Sequence, residues 1–216
     1  MTVVKICGIT NKEDALASAQ AGADLLGFVF YPPSPRSIDP ARATRIIDTV
    51  TRAGYPARFV GVFVNEPEGH IREIAAHCHL HHVQLHGSEP PQLVSHLAQD
   101  GLSVIKAVRI GGDDSLLEMM RYSPSLYLLD SSVSGFLGGS GRRFDWKIAQ
   151  RAKDLGSFLL AGGLDPDNVA AAVRAVRPWG VDVSTGVESS PGQKDHDKIR
   201  QFIAHAKEDD RRQYAQ

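Results

Sequence analysis

Short apolar runs alternate with amphipathic segments along almost the whole chain, eight times over. The apolar runs cover residues 3–7, 25–30, 59–64, 82–85, 103–108, 126–130, 158–161 and 180–184. They are too short for helices and rich in Val, Ile, Leu and Phe, which is how strands buried on both faces read. The segments between them, at 12–21, 40–52, 68–78, 90–99, 115–121, 146–154, 167–177 and 195–207, carry helical spacing. Start and stop signals agree: Asn11 before the first helix and Gly22 after it, Asp39-Pro40, Glu89-Pro90-Pro91 and Asp165-Pro166-Asp167 at later starts.

Strand and helix in strict alternation predict a parallel sheet with its helices outside. Eight such units in 216 residues predict closure into a single (βα)8 TIM barrel of the α/β class, at the small end of the usual range. An open doubly wound sheet is the structural alternative. The barrel is expected over residues 1–207, with 208–216 as a polar tail.

In such a barrel, chemistry gathers at the C-terminal ends of the strands and in the loops just after them. Cys7 ends the first strand, and Tyr31–Ser37 follow the second. Gln84, His86 and Gly87 surround the end of the fourth. Asp130 ends the sixth and is followed by Gly135-Phe136-Leu137-Gly138-Gly139-Ser140-Gly141. Gly162-Gly163 follow the seventh, and Ser184-Thr185-Gly186 the eighth. The opposite face receives little beyond short turns.

Glycines let backbone N–H groups approach an anion without a side chain in the way. Gly162 and Gly163, with Ser184, Thr185 and Gly186, lie in the two loops where a barrel holds a substrate phosphate. Cys7 and Asp130 end strands that are not neighbours, so a thiol and a carboxyl group can face each other across the mouth. A thiolate accepts a proton and a carboxylic acid donates one, a pair suited to proton transfer at adjacent positions of a sugar. Read alone, Cys7 fits a small packing residue better than a base, and Asp130 a helix or turn cap as well as an acid. Arg36, in a loop stiffened by prolines, suits a planar carboxylate, or is a solvated surface residue. His86 either orients a substrate or caps a turn. Gly138 and Gly139 read as a lid or as a plain exposed loop.

No metal site is expected. The cluster Cys78-His79-Leu80-His81-His82 lies between the third helix and the fourth strand, at the face away from the chemistry. For the same reason Cys7 and Cys78 are expected at opposite ends, too far apart for a disulfide. Trp146 and Trp179 read as packing residues. A formal net charge of -1 recommends neither nucleic acid nor an anionic membrane as partner. Two cysteines make no disulfide framework, and Met1 leads straight into a strand, so a cytoplasmic protein is expected, as monomer or homodimer.

Assembled, these residues resemble the phosphoribosylanthranilate isomerase family of tryptophan biosynthesis. The motifs carrying the resemblance are Lys5-Ile6-Cys7-Gly8-Ile9-Thr10, Ser34-Pro35-Arg36-Ser37, Gln84-Leu85-His86-Gly87, Leu129-Asp130, Gly138-Gly139-Ser140-Gly141 with Phe144-Asp145-Trp146, Ala161-Gly162-Gly163-Leu164, and Val181-Asp182-Val183-Ser184-Thr185-Gly186-Val187-Glu188. They span the chain from Val3 to about Ile203. The resemblance implies a cofactor-free Amadori rearrangement of a small phosphosugar. It implies that Asp130 is the general acid, Cys7 the general base, Arg36 the holder of the anthranilate carboxylate and Asp182 a contact for sugar hydroxyls. Thr185 stands where the family usually has Ser, and Ser140 where Thr is common. A histidine-pathway aminoaldose isomerase typically ends its first strand in Asp, which Cys7 argues against. A metal-dependent epimerase would want more His and Asp ligands at strand ends. A barrel that binds phosphosugars without turning them over would lack the acid or the base.

Overall fold

The computed structural model describes residues 1–110, 113–130 and 146–208. Eight parallel strands close into one barrel in sequence order: β1 (Val3–Cys7), β2 (Leu25–Val29), β3 (Arg58–Phe63), β4 (His82–Leu85), β5 (Ser103–Arg109), β6 (Leu126–Asp130), β7 (Phe158–Ala161) and β8 (Gly180–Val183). The ring shuts where β1 pairs with β8, with Lys5 in register with Asp182. The described helices follow their strands: α1 (Lys12–Gln20), α2 (Pro40–Arg52), α3 (Glu68–His77), α4 (Pro91–Gln99), α5 (Asp113–Met119), α6 (Trp146–Ala152), α7 (Val169–Val176) and α8 (His196–Ala206).

Alternation along each strand divides the apolar side chains into two cores. Val4 and Ile6 of β1, Tyr127 and Leu129 of β6, and Phe158 and Leu160 of β7 point outward into the layer beneath the helices. Leu25, Val60, Ile105, Leu126, Leu128 and Leu159 fill the barrel itself. The same parity turns Lys5, Cys7, Gln84, Asp130 and Asp182 inward, so one period-2 rule both packs the core and points polar groups at the mouth.

Local signals set most helix starts. Asn11 accepts the Asp14 N–H, Asp39 accepts that of Arg42 ahead of Pro40, and Asp195 accepts those of Asp197 and Lys198. Four starts differ from the sequence reading: α5 begins two residues earlier, at Asp113, and α8 one residue later, at His196, with Asp195 as its cap. Helix α4 begins at Pro91 because the carboxylate of Glu89 is engaged elsewhere (below), leaving Pro90 at the cap without a side-chain bond. Helix α7 begins at Val169 because Asp165 Oδ1 first accepts the N–H groups of Asp167 and Asn168 in a turn of its own.

After β8 comes a feature that the alternation does not announce. A 3₁₀ turn at Thr185–Val187 leads into a small antiparallel hairpin, β9 (Glu188–Ser190) and β10 (Gln193–Lys194). Trp179, expected in packing, is 44% exposed at the approach to β8. Cys7 and Cys78 are both free and buried. The expected lid residues Gly138 and Gly139, with Ser140, lie outside the described residues, as do residues 209–216 of the tail. Among the described residues, no helix is long and apolar enough to cross a membrane.

Candidate active site

Cys7 is the last residue of β1 and is 8% exposed. Its neighbour across the ladder is Gly27, and a Cβ there would lie 2.9 Å from the Cys7 sulfur. The thiol occupies the room which that missing side chain leaves. One layer below, the fully buried Lys5 donates through Nζ to Asp182 Oδ1 at 2.7 Å. Burial pulls the Lys5 ammonium down, but Asp182 and Cys7 attract it more strongly, and its pKa ends above the ordinary value. Burial pushes the Cys7 thiol up, with Lys5 opposing, and the net direction is upward. The sulfur is therefore protonated at rest and becomes a strong base once ionised. Asp182, 11% exposed, carries one partner already.

At the end of β4, the amide nitrogen of Gln84 lies 2.8 Å from His86 Nδ1. The contact holds the imidazole by Nδ1 and leaves Nε2 on the other side of the ring. That atom is 3.6 Å from Asp130 Oδ2, at the end of β6. Gln84 itself is buried, and its Oε1 has no hydrogen-bond partner among the described residues.

The loop carrying His86 is tied down by Glu89. Its carboxylate accepts the N–H groups of Gly87 and Asn65 at 2.9 and 3.0 Å and the Lys106 ammonium at 2.8 Å. Lys106, on the outer face of β5, also donates to the Gly87 carbonyl at 2.7 Å and lies 5.4 Å from the Tyr122 ring centroid. Burial raises the Glu89 carboxyl, but Lys106 and the N–H donors outweigh it and hold the group below its usual range.

Arg36 comes from the loop after β2. Its stem crosses Gly8, where a Cβ would lie 2.7 Å from Arg36 Cδ and 3.1 Å from Ser184 Oγ. Gly8 also has φ +77°, which glycine tolerates best. The guanidinium is not solvated freely: Nε and Nη2 donate to the two oxygens of Glu188 at 2.8 and 2.7 Å. Lys194 Nζ, from β10, meets Glu188 Oε1 at 3.1 Å and the Ser184 carbonyl at 3.1 Å. Burial lowers the Lys194 ammonium more than Glu188 restores it, while Arg36 and Lys194 hold Glu188 low against its own burial.

The loops after β7 and β8 touch. A Cβ on Gly186 would lie 1.9 Å from the Leu164 carbonyl oxygen, so only glycine allows this approach. Gly162 and Gly163 have φ of 88° and 65°. Asn168 braces their loop, donating to the Gly163 carbonyl at 2.8 Å and accepting the Asp165 N–H at 3.0 Å.

The structure thus gathers Cys7, Arg36, His86, Asp130, Gly162, Gly163, Asp182, Ser184, Thr185 and Gly186 at one end of the barrel. Around the ring, β7 and β8 stand between the strand of Asp130 and that of Cys7. The sequence reading gave no functional role to Lys5, Gln84, Glu89, Lys106, Glu188 or Lys194: Lys5, Gln84 and Glu188 entered only within motifs, and Glu89 only as a helix-start signal. A lysine at an inward position of a strand was a usable signal for Lys5. Lys106 and Lys194 gave no local one. Cys78 to His82 lie at the far end, with His81 Nδ1 accepting the Phe59 N–H at 3.1 Å. Among the described residues no three His, Cys, Asp or Glu side chains are grouped to hold a metal ion.

Fold and site together define a (βα)8 barrel with acid–base side chains at its C-terminal mouth. Residues 4–205 match the family model of N-(5'-phosphoribosyl)anthranilate (PRA) isomerase. A relative of that name from Geobacter metallireducens is 49% identical over 209 residues, covering 96% of this chain and 100% of the relative. A crystal structure of phosphoribosyl anthranilate isomerase from Thermotoga maritima superimposes with a TM-score of 0.88 at 46% identity, over 96% of this chain and 100% of that one. Another, of the isomerase in complex with reduced 1-(o-carboxyphenylamino)-1-deoxyribulose 5-phosphate, gives 0.85 at 44% identity, over 96% and 100%. The chain belongs to the N-(5'-phosphoribosyl)anthranilate isomerase family.

Proposed function

We propose that this chain converts N-(5-phosphoribosyl)anthranilate to 1-(2-carboxyphenylamino)-1-deoxyribulose 5-phosphate in tryptophan biosynthesis, with Asp130 as general acid and Cys7 as general base. Asp130 protonates the furanose ring oxygen, and the C1–O bond breaks as the aniline nitrogen lone pair forms a protonated Schiff base. Cys7 removes the proton from C2, and those electrons neutralise the iminium to give an enolamine. Tautomerisation to the C2 ketone completes an isomerisation that needs no outside oxidant or reductant.

Each role has a geometric support. His86 Nε2 lies 3.6 Å from Asp130 Oδ2, beside the acid, and orients the substrate. Lys5 sits below the thiol and favours its ionised form. Gly162, Gly163, Ser184, Thr185 and Gly186 hold the phosphate from the two strands between acid and base. That order fixes one end of the sugar phosphate while C1 and C2 reach both catalytic groups. Asp182 meets sugar hydroxyls from beside Cys7, and Arg36 takes the anthranilate carboxylate. Residues 1–207 form the catalytic domain.

The observation carrying the reading is that parity and barrel order aim Cys7 and Asp130 into the same mouth, with the glycine loops between them. The test is loss of anthranilate-type fluorescence from freshly made phosphoribosylanthranilate. Wild type should consume it quickly. Cys7→Ala and Asp130→Asn should each lower kcat by roughly 10²–10⁴-fold while a reduced product analogue still binds. Near-normal turnover by either variant would remove that residue from its role.

A further inference from the structure

Arg36 presents an unusual arrangement for a ligand-binding arginine: one edge of its guanidinium is already filled. Nε–H and one Nη2–H are spent on Glu188. A guanidinium has five N–H donors in a rigid plane. Three remain, two on Nη1 and one on Nη2, and they include the end-on pair that takes a second carboxylate bidentately. Among the described residues that edge makes no hydrogen bond, and the Arg36 side chain keeps 19% of its surface exposed. Glu188 is only 6% exposed.

Glu188 alone would leave Arg36 oriented but neutralised. An ion pair of zero net charge has little long-range attraction for an incoming anion. Lys194 changes that sum. Its side chain is wholly buried and its ammonium lies 3.1 Å from the same carboxylate. The main chain fixes its place: the Lys194 N–H donates to Asp14 Oδ2 at 2.8 Å, and Gly192 N donates to Glu188 Oε1 at 3.3 Å. Arg36, Glu188 and Lys194 together carry one net positive charge, matching one carboxylate.

We propose that Glu188 and Lys194 are positioning residues that make Arg36 a selector for aryl groups bearing a carboxylate. Glu188 holds the guanidinium side-on so that its end-on edge faces the substrate, and Lys194 restores the positive charge that Glu188 removes. The inference rests on the reading of Arg36 as the carboxylate holder. It explains why a lysine that cannot reach solvent is placed behind the site.

The test compares two adducts of phosphoribosylamine chemistry, one with anthranilate and one with aniline, which lacks the carboxylate. The readout is the ratio of kcat/KM for the two. Lys194→Met should lower that ratio roughly tenfold, through KM for the anthranilate adduct, whatever common loss both adducts suffer through the Ser184 carbonyl that Lys194 also holds. Lys194→Arg, which keeps the charge, should restore most of the ratio. In an Arg36→Met background, Lys194→Met should change the ratio no further, because it acts through the guanidinium. If Lys194→Met does not fold, as judged by circular dichroism, Lys194→Gln, which removes the charge but keeps a polar group beside the Ser184 carbonyl, replaces it, with a lowered ratio again expected. An unchanged ratio with either folded variant, while Arg36→Met still lowers it, overturns the proposal and leaves Arg36 in place. An unchanged ratio with Arg36→Met itself removes the underlying reading of Arg36.

Discussion

The Lys5 ammonium lies 2.7 Å from the Asp182 carboxylate, and the pair sits inside the barrel one layer below the Cys7 thiol. The two residues are 177 positions apart and meet because β1 and β8 close the ring. A buried positive charge under a sulfur lowers the cost of forming the thiolate there. Asp182 keeps Lys5 charged, and so indirectly supports Cys7 in the role proposed for it.

Replacing Lys5 tests that arrangement. Burial holds the thiol above its ordinary value, and Lys5 is the leading opposing influence. A thiol reacts as its thiolate, so the rate of Cys7 alkylation should climb with pH into the alkaline range. Lys5→Gln removes the opposing charge and should move that limb to still higher pH, slowing Cys7 alkylation at neutral pH by about tenfold or more. A pH–rate profile of alkylation on both proteins is the check. An unmoved limb would mean that Lys5 does not act on Cys7.

Gly27 should be intolerant of even one methyl group. A Cβ there would lie 2.9 Å from the sulfur and 3.1 Å from the Cα of Cys7. Gly27→Ala must displace the thiol, and small misplacements of a catalytic group cost on the order of 10²-fold in rate. Steady-state kinetics beside a thermal melt separates this from unfolding. Wild-type turnover in the variant would show that the thiol position is not critical.

The Glu89–Lys106 pair should matter chiefly to stability. Both side chains are almost wholly buried, at 1% and 0% exposure. Lys106→Met leaves the Glu89 charge uncompensated, which typically costs about 3–5 kcal/mol. At about 2–4 °C per kcal/mol for a chain of this size, Tm should fall by roughly 6–20 °C. Acid should recover part of the loss, because protonating Glu89 removes the stranded charge. Calorimetry at two pH values measures both.

His82 predicts a weakness in acid. It points into the bottom of the barrel, its Nδ1 has no partner among the described residues, and burial with Arg58, His81 and Lys5 nearby lowers its pKa to about 4. Between that value and the ordinary 6.5, the unfolded chain holds a proton that the folded chain rejects. Stability therefore rises with pH across this window and falls as pH drops through it. Glu89 and Glu188, both held low, lose their contributions in the same direction at lower pH. His82→Leu should flatten the dependence of Tm on pH between 6.5 and 4 without abolishing acid unfolding. A slope equal to wild type would exclude His82 as its source.

Much of the architecture was written locally. Apolar runs of strand length, helical spacing between them, and Asn11, Asp39 and Asp195 at helix starts are properties of a few neighbouring residues. They were enough to order eight strands and to place Cys7, Asp130 and the Gly162-Gly163 pair at strand ends. Parity within β1 put Lys5 and Cys7 on one face before any tertiary contact was known. The hairpin after β8 escaped because its strands are only three and two residues long, too short for a period to show. Trp179 was read as core because size suggests burial, yet it stands in a loop at the rim.

The sequence by itself determined the list of chemical groups and the end of the barrel where they gather, because strand and helix periods are set within one or two turns of chain. Only the tertiary structure decided their partners. Arg36 meets Glu188 across 152 residues, the main-chain N–H of Lys194 meets Asp14 across 180, and Lys5 meets Asp182 across 177. Each of these pairs joins the beginning of the chain to its end, where no local pattern can register. Closing the ring between β1 and β8 brings them within hydrogen-bond distance. There, burial makes an unpaired charge costly and fixes which carboxylate each cation keeps.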